Sequence, residues 1–323
     1  MSYEAVGKKL KQGELVILDG AIGSEMLRRG LTWEAHKVDS HPDWIRSIHA
    51  DYVAAGADVI STNTFQLARR SFVNHFCDDA HMRRIGAAGL EKKAGELIHD
   101  AVALARKARD ASPRKKEVAI AGAMTTLEWC FRPDLTPAPD EMRAEYRETI
   151  RHFKDAGADL MLFETFNRWL EARVALEAAR EVGLPAWVAF VPDDEGRLLS
   201  GDSIAMTAEK LAPLKPAGIL FNCAPVADVG LALTELRKHY QGASGVYPHV
   251  GRYDPPDWMF TDEYPPDKYL EEARGWVKTG ATVVGGCCGT TPMHIEALRR
   301  GLVSAKSAAR PAAKPARKPA RRR

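Results

Sequence analysis

The sequence predicts an α/β fold, a closed (β/α)8 barrel of the TIM type, and three observations carry that expectation. Short β-rich apolar runs alternate with longer segments of helical spacing. The runs number eight, the count that a barrel of parallel strands needs. No G-x-G-x-x-G follows the first run and no G-x-x-x-x-G-K-[ST] occurs in the 323 residues. That weakens the alternative of an open, nucleotide-binding sheet.

The eight runs lie at 15–18, 58–61, 118–121, 160–163, 186–190, 218–221, 244–247 and 282–284. Helical spacing marks 42–54, 87–107, 139–155, 169–181 and 266–278. Three runs follow a glycine turn: "AGAD" at 55–58, "AGAD" at 156–159 and "TGAT" at 279–282. A glycine there ends the helix in the left-handed conformation and releases the chain into a strand. Strand–helix alternation of this kind requires parallel strands joined by helical crossovers.

Composition bounds the class. With 45% hydrophobic and 28% charged residues the chain reads as globular, and no apolar run approaches the ~18 residues of a membrane span. Residues 1–15 carry lysines but no apolar stretch, so no secretory signal is read there. The formal charge of +3 conceals an asymmetry: eight Lys and Arg, and no acid, fall in 302–323, leaving the rest at −5. A mildly acidic body argues against a nucleic-acid enzyme. The chain therefore divides into a barrel, 1–302, and a tail, 303–323, of alanine, proline, lysine and arginine. Proline prevents helix and nothing apolar offsets the entropy of ordering, so the tail is expected to be disordered. A solubilising appendage is the favoured reading of it, ahead of contact with nucleic acid.

The five cysteines are Cys77, Cys130, Cys223, Cys287 and Cys288. With no export signal they point to a reducing, cytoplasmic setting. The vicinal pair closes only a strained ring and is not expected to be a structural disulfide. Cys223 ends the sixth run, in "GILFNCAP", and Cys287 and Cys288 end the eighth, in "TVVGGCCGTTP". In a closed barrel both ends lie on the C-terminal face, where barrel active sites are built. Three thiolates with one open position make a catalytic zinc site, and Gly285, Gly286 and Gly289 let the chain turn sharply around it. Cys77 and Cys130 fall outside this arrangement and read as small hydrophobes.

Five motifs in order, "DGAIGSEMLRRG" at 19–30, "STNTF" at 61–65, "FET" at 163–165, "FNC" at 221–223 and "GGCCGTTPMHI" at 285–295, resemble the homocysteine S-methyltransferase family. That family includes S-methylmethionine-dependent and betaine-dependent enzymes and the homocysteine module of cobalamin-dependent methionine synthase. The resemblance covers 13–302. It implies a (β/α)8 barrel, zinc (Zn2+) on Cys223, Cys287 and Cys288, and homocysteine near Asp19, Gly20 and Glu164. Glu164 can accept hydrogen bonds from the substrate ammonium, and the turn at 20–24 can offer backbone N–H groups to a carboxylate. Asp19 would bind the amine or orient the zinc ligands, with helix capping as the alternative. Zinc holds a thiol as the nucleophilic thiolate, so the transfer would need alignment rather than a general base.

The donor is open at this stage. A sulfonium or quaternary ammonium favours aromatic faces, and Trp33, Phe65, Trp129, Phe131, Phe166 and Tyr247 lie in or near the expected active-face loops. The match is best to stand-alone S-methylmethionine enzymes, with betaine-dependent or corrinoid-dependent transfer as alternatives. Two departures bear on the donor: His249 stands where that subgroup has asparagine, and "TTLEWCFRPD" at 125–134 differs from its usual loop. Competing classes are a non-catalytic zinc-binding regulator and a redox protein using the vicinal thiols. Deleting 304–323 is expected to leave activity and melting temperature nearly unchanged; a large loss in either, by assay or thermal denaturation, would show the tail to be part of the working structure.

Overall fold

The computed structural model describes residues 2–31, 38–73, 89–254 and 257–304. Trp33, Cys77, the first residues of the helix expected at 87–107, and the tail from 305 lie outside the described residues.

Eight strands close into a parallel barrel. They are β1 (Val16–Ile17), β2 (Val59–Ser61), β3 (Ala119–Met124), β4 (Leu160–Phe166), β5 (Ala186–Phe190), β6 (Gly218–Asn222), β7 (Ser244–Tyr247) and β10 (Val283–Val284). The hydrogen-bonded order is β1-β10-β7-β6-β5-β4-β3-β2, and a parallel bridge from Leu18 to Val59 joins the two ends. The eight expected runs are the eight barrel strands. A hairpin that the sequence analysis did not anticipate, β8 (Arg252–Asp254) with β9 (Asp257–Met259), follows β7.

Side chains sort by strand alternation. Val16, Leu18, Leu160, Leu162, Trp187 and Leu220 fill the barrel interior. Their neighbours Ile17, Met161, Phe163, Val188 and Phe221 join the larger core between barrel and helices. That outer layer includes α3 (Pro42–Ala55), α6 (Pro139–Ala156), α7 (Trp169–Val182) and α10 (Pro266–Thr279). Each ends at a glycine of positive φ: Gly56, Gly157, Gly183 and Gly280.

After three of these glycines the turn does a second job. Asp58 accepts the Ile17 N–H (3.1 Å), Asp159 accepts the Ile120 N–H (2.8 Å) and Thr282 Oγ1 accepts the Ser244 N–H (3.2 Å). In each case the side chain entering a strand satisfies an amide in the first two residues of a neighbouring barrel strand. The "GAD" and "GAT" signals thus encode helix stop and strand pairing together.

The helix α1 (Ser2–Lys11), read from sequence only as a polar lead-in, packs on the bottom of the barrel. Val6 is fully buried in the interior cluster, with Tyr3 and Leu10 against it; burying such a side chain is worth about 2 kcal/mol. The same end holds an ionic hub. The fully buried Asp58 carboxylate accepts from Lys9 Nζ (2.8 Å), Arg114 Nη2 (2.8 Å) and Arg299 Nη1 (3.0 Å). One carboxylate thus ties the first helix, the turn before β3 and the last helical segment to β2. Asp58→Ala is expected to cost about 3 kcal/mol, because it strands three partly desolvated cations. Urea denaturation reads this, and a loss below about 1 kcal/mol would mean the cations simply regain solvent.

Candidate metal centre and acidic cavity

At the opposite, C-terminal end of the strands the sulfur atoms of Cys223, Cys287 and Cys288 lie within 4.8 Å of one another. Cys223 immediately follows β6 and the vicinal pair follows β10. Cys223 and Cys287 are in sulfur–sulfur contact with Cα atoms 5.7 Å apart, and Cys288 is a free thiol. The contact joins two strands, as geometry favours, and spares the vicinal pair.

Backbone hydrogen bonds lock this cluster together. The Cys287 N–H donates to Pro248 O (2.9 Å), the Val250 N–H to Cys288 O (2.8 Å) and the His249 N–H to Ala224 O (3.2 Å). The 248–250 segment is therefore threaded between the two cysteine-bearing loops. Burial holds the His249 pKa below the usual value, with the nearby Cys223 backbone working against that shift. Its ring meets Trp258 of the hairpin edge-on at 5.3 Å. A residue larger than glycine at 289 would drive its Cβ into the Val250 carbonyl, and Gly289 also has φ 85°.

The rest of the "GGCCGTTPMHI" motif braces the loop. Thr290 Oγ1 donates to Cys287 O (2.7 Å), and the Gly286 N–H donates to Asp19 O (3.0 Å). Thr291 and His294 form a capping box at the helix Pro292–Leu298. Ser24 Oγ accepts the Gly289 N–H (2.8 Å), which binds the 20–24 turn to the cysteine loop. Gly20 sits where a Cβ would lie 2.8 Å from both the Thr290 and Tyr52 hydroxyls.

Two carboxyls face the same end of the barrel. Asp19 is buried; its carboxylate accepts the Ser61 N–H (2.7 Å) and the Ser61 hydroxyl (3.0 Å). It does not cap the helix that follows, whose N-cap is Ala21, so the capping alternative falls. Burial lifts the Asp19 pKa well above the carboxylate range, against the pull of the Ser61 hydrogen bonds, and the charge of Glu164 adds to the rise. Glu164 keeps partial exposure and accepts from the Tyr247 hydroxyl at 3.5 Å. Desolvation pushes its pKa up to about 7. No cation among the described residues counters either shift.

The described aromatic candidates separate. Phe166 is fully buried in the outer core and Tyr247 is turned to Glu164. Trp129 and Phe131 are exposed, their rings 6.5 Å apart, and Phe65 is half-buried. Between those two exposed rings lies Cys130. It is no member of the three-sulfur cluster, but its buried thiol feels the charges of Cys288 and Glu164. It therefore stands nearer the site than its sequence position suggested.

Sequence reasoning passed over Ser61, Tyr247 as the partner of Glu164, and Asn222. The "STNTF" motif held the first: Ser61 serves Asp19, while Thr62 Oγ1 accepts the Ala123 N–H (3.1 Å) and Thr64 Oγ1 donates to Ala123 O (2.7 Å). "FET" and "FNC" held the third. Asn222 Oδ1 accepts the Thr165 N–H (2.9 Å) and its Nδ2 donates to Thr165 Oγ1 (3.0 Å). Thr165 and Cys223 both have positive φ, 62° and 49°, a backbone state that costs a non-glycine residue about 1–3 kcal/mol.

Comparison with known proteins places the chain as a whole. The chain is 28% identical over 321 residues to homocysteine S-methyltransferase 3 of Zea mays, covering 90% of each chain. It is 28% identical over 314 residues to homocysteine S-methyltransferase YbgG of Bacillus subtilis (strain 168), covering 91% of this chain and 96% of that one. It is 27% identical to the selenocysteine Se-methyltransferase of Brassica oleracea var. italica, covering 95% and 94%. Among solved structures, the metallated form of the homocysteine methyltransferase MmuM from Escherichia coli superposes with a TM-score of 0.75 at 25% identity, over 92% of this chain and 99% of that one. The homocysteine S-methyltransferase family model matches residues 16–302, and the chain belongs to that family of methyltransferases.

Proposed function

We propose that the enzyme makes methionine by moving a methyl group from a small sulfonium donor, such as S-methylmethionine, to the thiolate of homocysteine held on zinc. One observation carries the reading: three sulfurs from two strands converge beside two carboxyls that have no cation partner among the described residues. The donor set fits zinc, which takes thiolates in tetrahedral geometry and keeps a position open in catalytic sites. Burial, with no positive side chain beside it, pushes the Cys288 thiol up to about 12, so a bound cation is what would stabilise thiolates there. Cys223, Cys287 and Cys288 would hold the ion in their reduced state. Bound zinc supplies the lowered proton affinity that keeps an incoming thiol ionised near neutral pH.

The chain's own residues do the remaining work. Glu164, steadied by Tyr247, accepts the substrate ammonium; Asp19, fixed by Ser61, supplies a second negative group on the same side. Gly20 leaves the space beside Thr290 and Tyr52 free of side chain. Held by these groups at its amino-acid end, and at sulfur by the ion that Cys223, Cys287 and Cys288 would hold, homocysteine would meet its donor at the C-terminal end of the barrel. Attack on the donor methyl forms one S–C bond and breaks another, and the donor leaves as a neutral thioether. No residue has to remove a proton in that step. Trp129, Phe131 and Phe65 are the aromatic faces available to a cationic donor.

The reduced thiols suit a cytoplasmic enzyme. Betaine or a corrinoid would use the same thiolate, and a non-catalytic zinc regulator would need neither carboxyl. A panel of sulfonium, betaine and corrinoid donors, run with homocysteine and selenocysteine as acceptors, separates these readings.

Protein purified under reducing conditions is expected to carry about one zinc per chain, and Cys→Ala at 223, 287 or 288 to remove most of it. Full occupancy in the Cys287→Ala, Cys288→Ala double variant, measured by metal analysis, would sink the site.

Glu164→Gln keeps shape and removes charge. It is expected to weaken homocysteine binding by on the order of 2 kcal/mol, as when one partner of a desolvated charge pair is lost. Zinc content and the slow methylation of a thiol lacking the amino group should stay unchanged. Equal losses for both thiols in steady-state kinetics would assign Glu164 to the fold or the metal instead.

A further inference from the structure

The strand that carries Glu164 breaks its own alternation one residue later. Leu160 and Leu162 fill the barrel interior, and Glu164 follows on that face. Regular pleating would bring Phe166 in above Glu164. Phe166 instead packs outward, its ring 5.7 Å from Phe163 and 6.1 Å from Tyr146. The switch falls at Thr165, where φ is 62° and the register with β5 shifts between Phe163 and Phe166. The bulge thus removes a phenyl ring from the space over Glu164.

A β-branched residue resists that conformation, so something must hold it. Asn222 does so with an acceptor for the Thr165 amide and a donor for the Thr165 hydroxyl, at 2.9 and 3.0 Å. The bonds cross from β6 to β4 over the intervening β5. Asn222 and Thr165 are both fully buried, so no water competes for either bond. The residue after Asn222 is Cys223, also left-handed at φ 49°. Fixing the Asn222 side chain therefore fixes the point from which Cys223 departs.

We propose that Asn222 is a positioning residue: by holding the Thr165 bulge it keeps the space over Glu164 open for the substrate's amino-acid end and aims the Cys223 sulfur at the metal. The identity of the occupant and of the metal rests on the proposed function; the bulge and its restraint by Asn222 do not. An amide suits the task because the bulge asks for one acceptor and one donor. Aspartate would lack the donor and place a third negative group beside Glu164.

The experiment compares Asn222→Ala, Thr165→Gly and the double variant, each reduced and zinc-loaded. Zinc retention against a chelator, homocysteine KM and kcat, and the urea midpoint are read for each. Asn222→Ala is expected to weaken zinc retention on the order of tenfold and raise homocysteine KM on the order of tenfold, with kcat changed less. Thr165→Gly alone should keep homocysteine KM near wild type, because glycine adopts the left-handed region freely. Its urea midpoint should fall and its zinc retention drop less than in Asn222→Ala, because the buried Asn222 side chain loses its hydroxyl acceptor but keeps the residue 165 amide. In the double variant the glycine should restore most of the KM loss and little of the zinc loss, since it relieves the bulge but leaves Cys223 unanchored. Its unstrained bulge also keeps both readouts measurable if Asn222→Ala alone does not fold. A lowered urea midpoint with unchanged KM and zinc retention would overturn the proposal, as would a KM that the glycine fails to restore. A wild-type enzyme that methylates no homocysteine would defeat the proposed function, while zinc retention would still decide the role of Asn222.

Discussion

Everything at the functional end depends on the close approach of two loops. The chain after β6 and the chain after β10 must bring three sulfurs within 4.8 Å, and main-chain bonds do most of it, with the Thr290 and Ser24 hydroxyls bracing the second loop. Pro248, His249 and Val250 lie between the loops and bond to both. Glycine stands at 289 because a Cβ there would run into the Val250 carbonyl, and at 285 because one there would meet Leu18 and the Asp19 carbonyl. At 286 an added Cβ would run into the Thr290 side chain, the group that holds the Cys287 carbonyl. The motif reads as a list of steric permissions as much as a list of ligands.

The two ends of the barrel treat buried charge in opposite ways. At the bottom, Asp58 is surrounded by Lys9, Arg114 and Arg299 and its charge is fully answered. At the top, Asp19 and Glu164 have hydrogen-bond donors but no cation among the described residues. Unanswered acids of this kind oppose folding and await a positive ligand. The raised Glu164 pKa, about 7 against an ordinary 4.5, fixes the sign. Between those values the native state holds a proton that the unfolded chain has lost, so this group's contribution to stability falls as pH rises toward about 7. Stability is concentrated where no chemistry is proposed and is given up where it is.

Much of the fold was legible because its signals are local. Apolar periodicity located all eight barrel strands, and glycines 56, 157 and 280 marked helix ends where the backbone does turn left-handed. The first helix escaped notice because its apolar face is only Tyr3, Val6 and Leu10, three residues among lysines. Its burial is decided by the open bottom of the barrel, which no window of sequence contains. The hairpin after β7 escaped for a related reason: Trp258 is fixed by the Val250 carbonyl and the His249 ring, partners outside its own two strands.

Of the proposed site, the sequence by itself supplied the groups: the "GGCCG" and "FNC" cysteines, the Asp19 and Glu164 carboxyls, and their places at strand ends. Those follow from residue chemistry and from the period of the strands. Only the tertiary structure decided which groups restrain them. Ser61 holds Asp19 across 42 positions of sequence, Tyr247 reaches Glu164 across 83, and Asn222 reaches Thr165 across 57. It also sent Phe166 outward, where alternation from Leu160 and Leu162 would have set it inside. The physical reason is the same in each case. A strand's period fixes which face a side chain takes, but hydrogen-bond partners and a left-handed bulge are set by the neighbours that barrel closure brings alongside, and closure is a property of the whole chain.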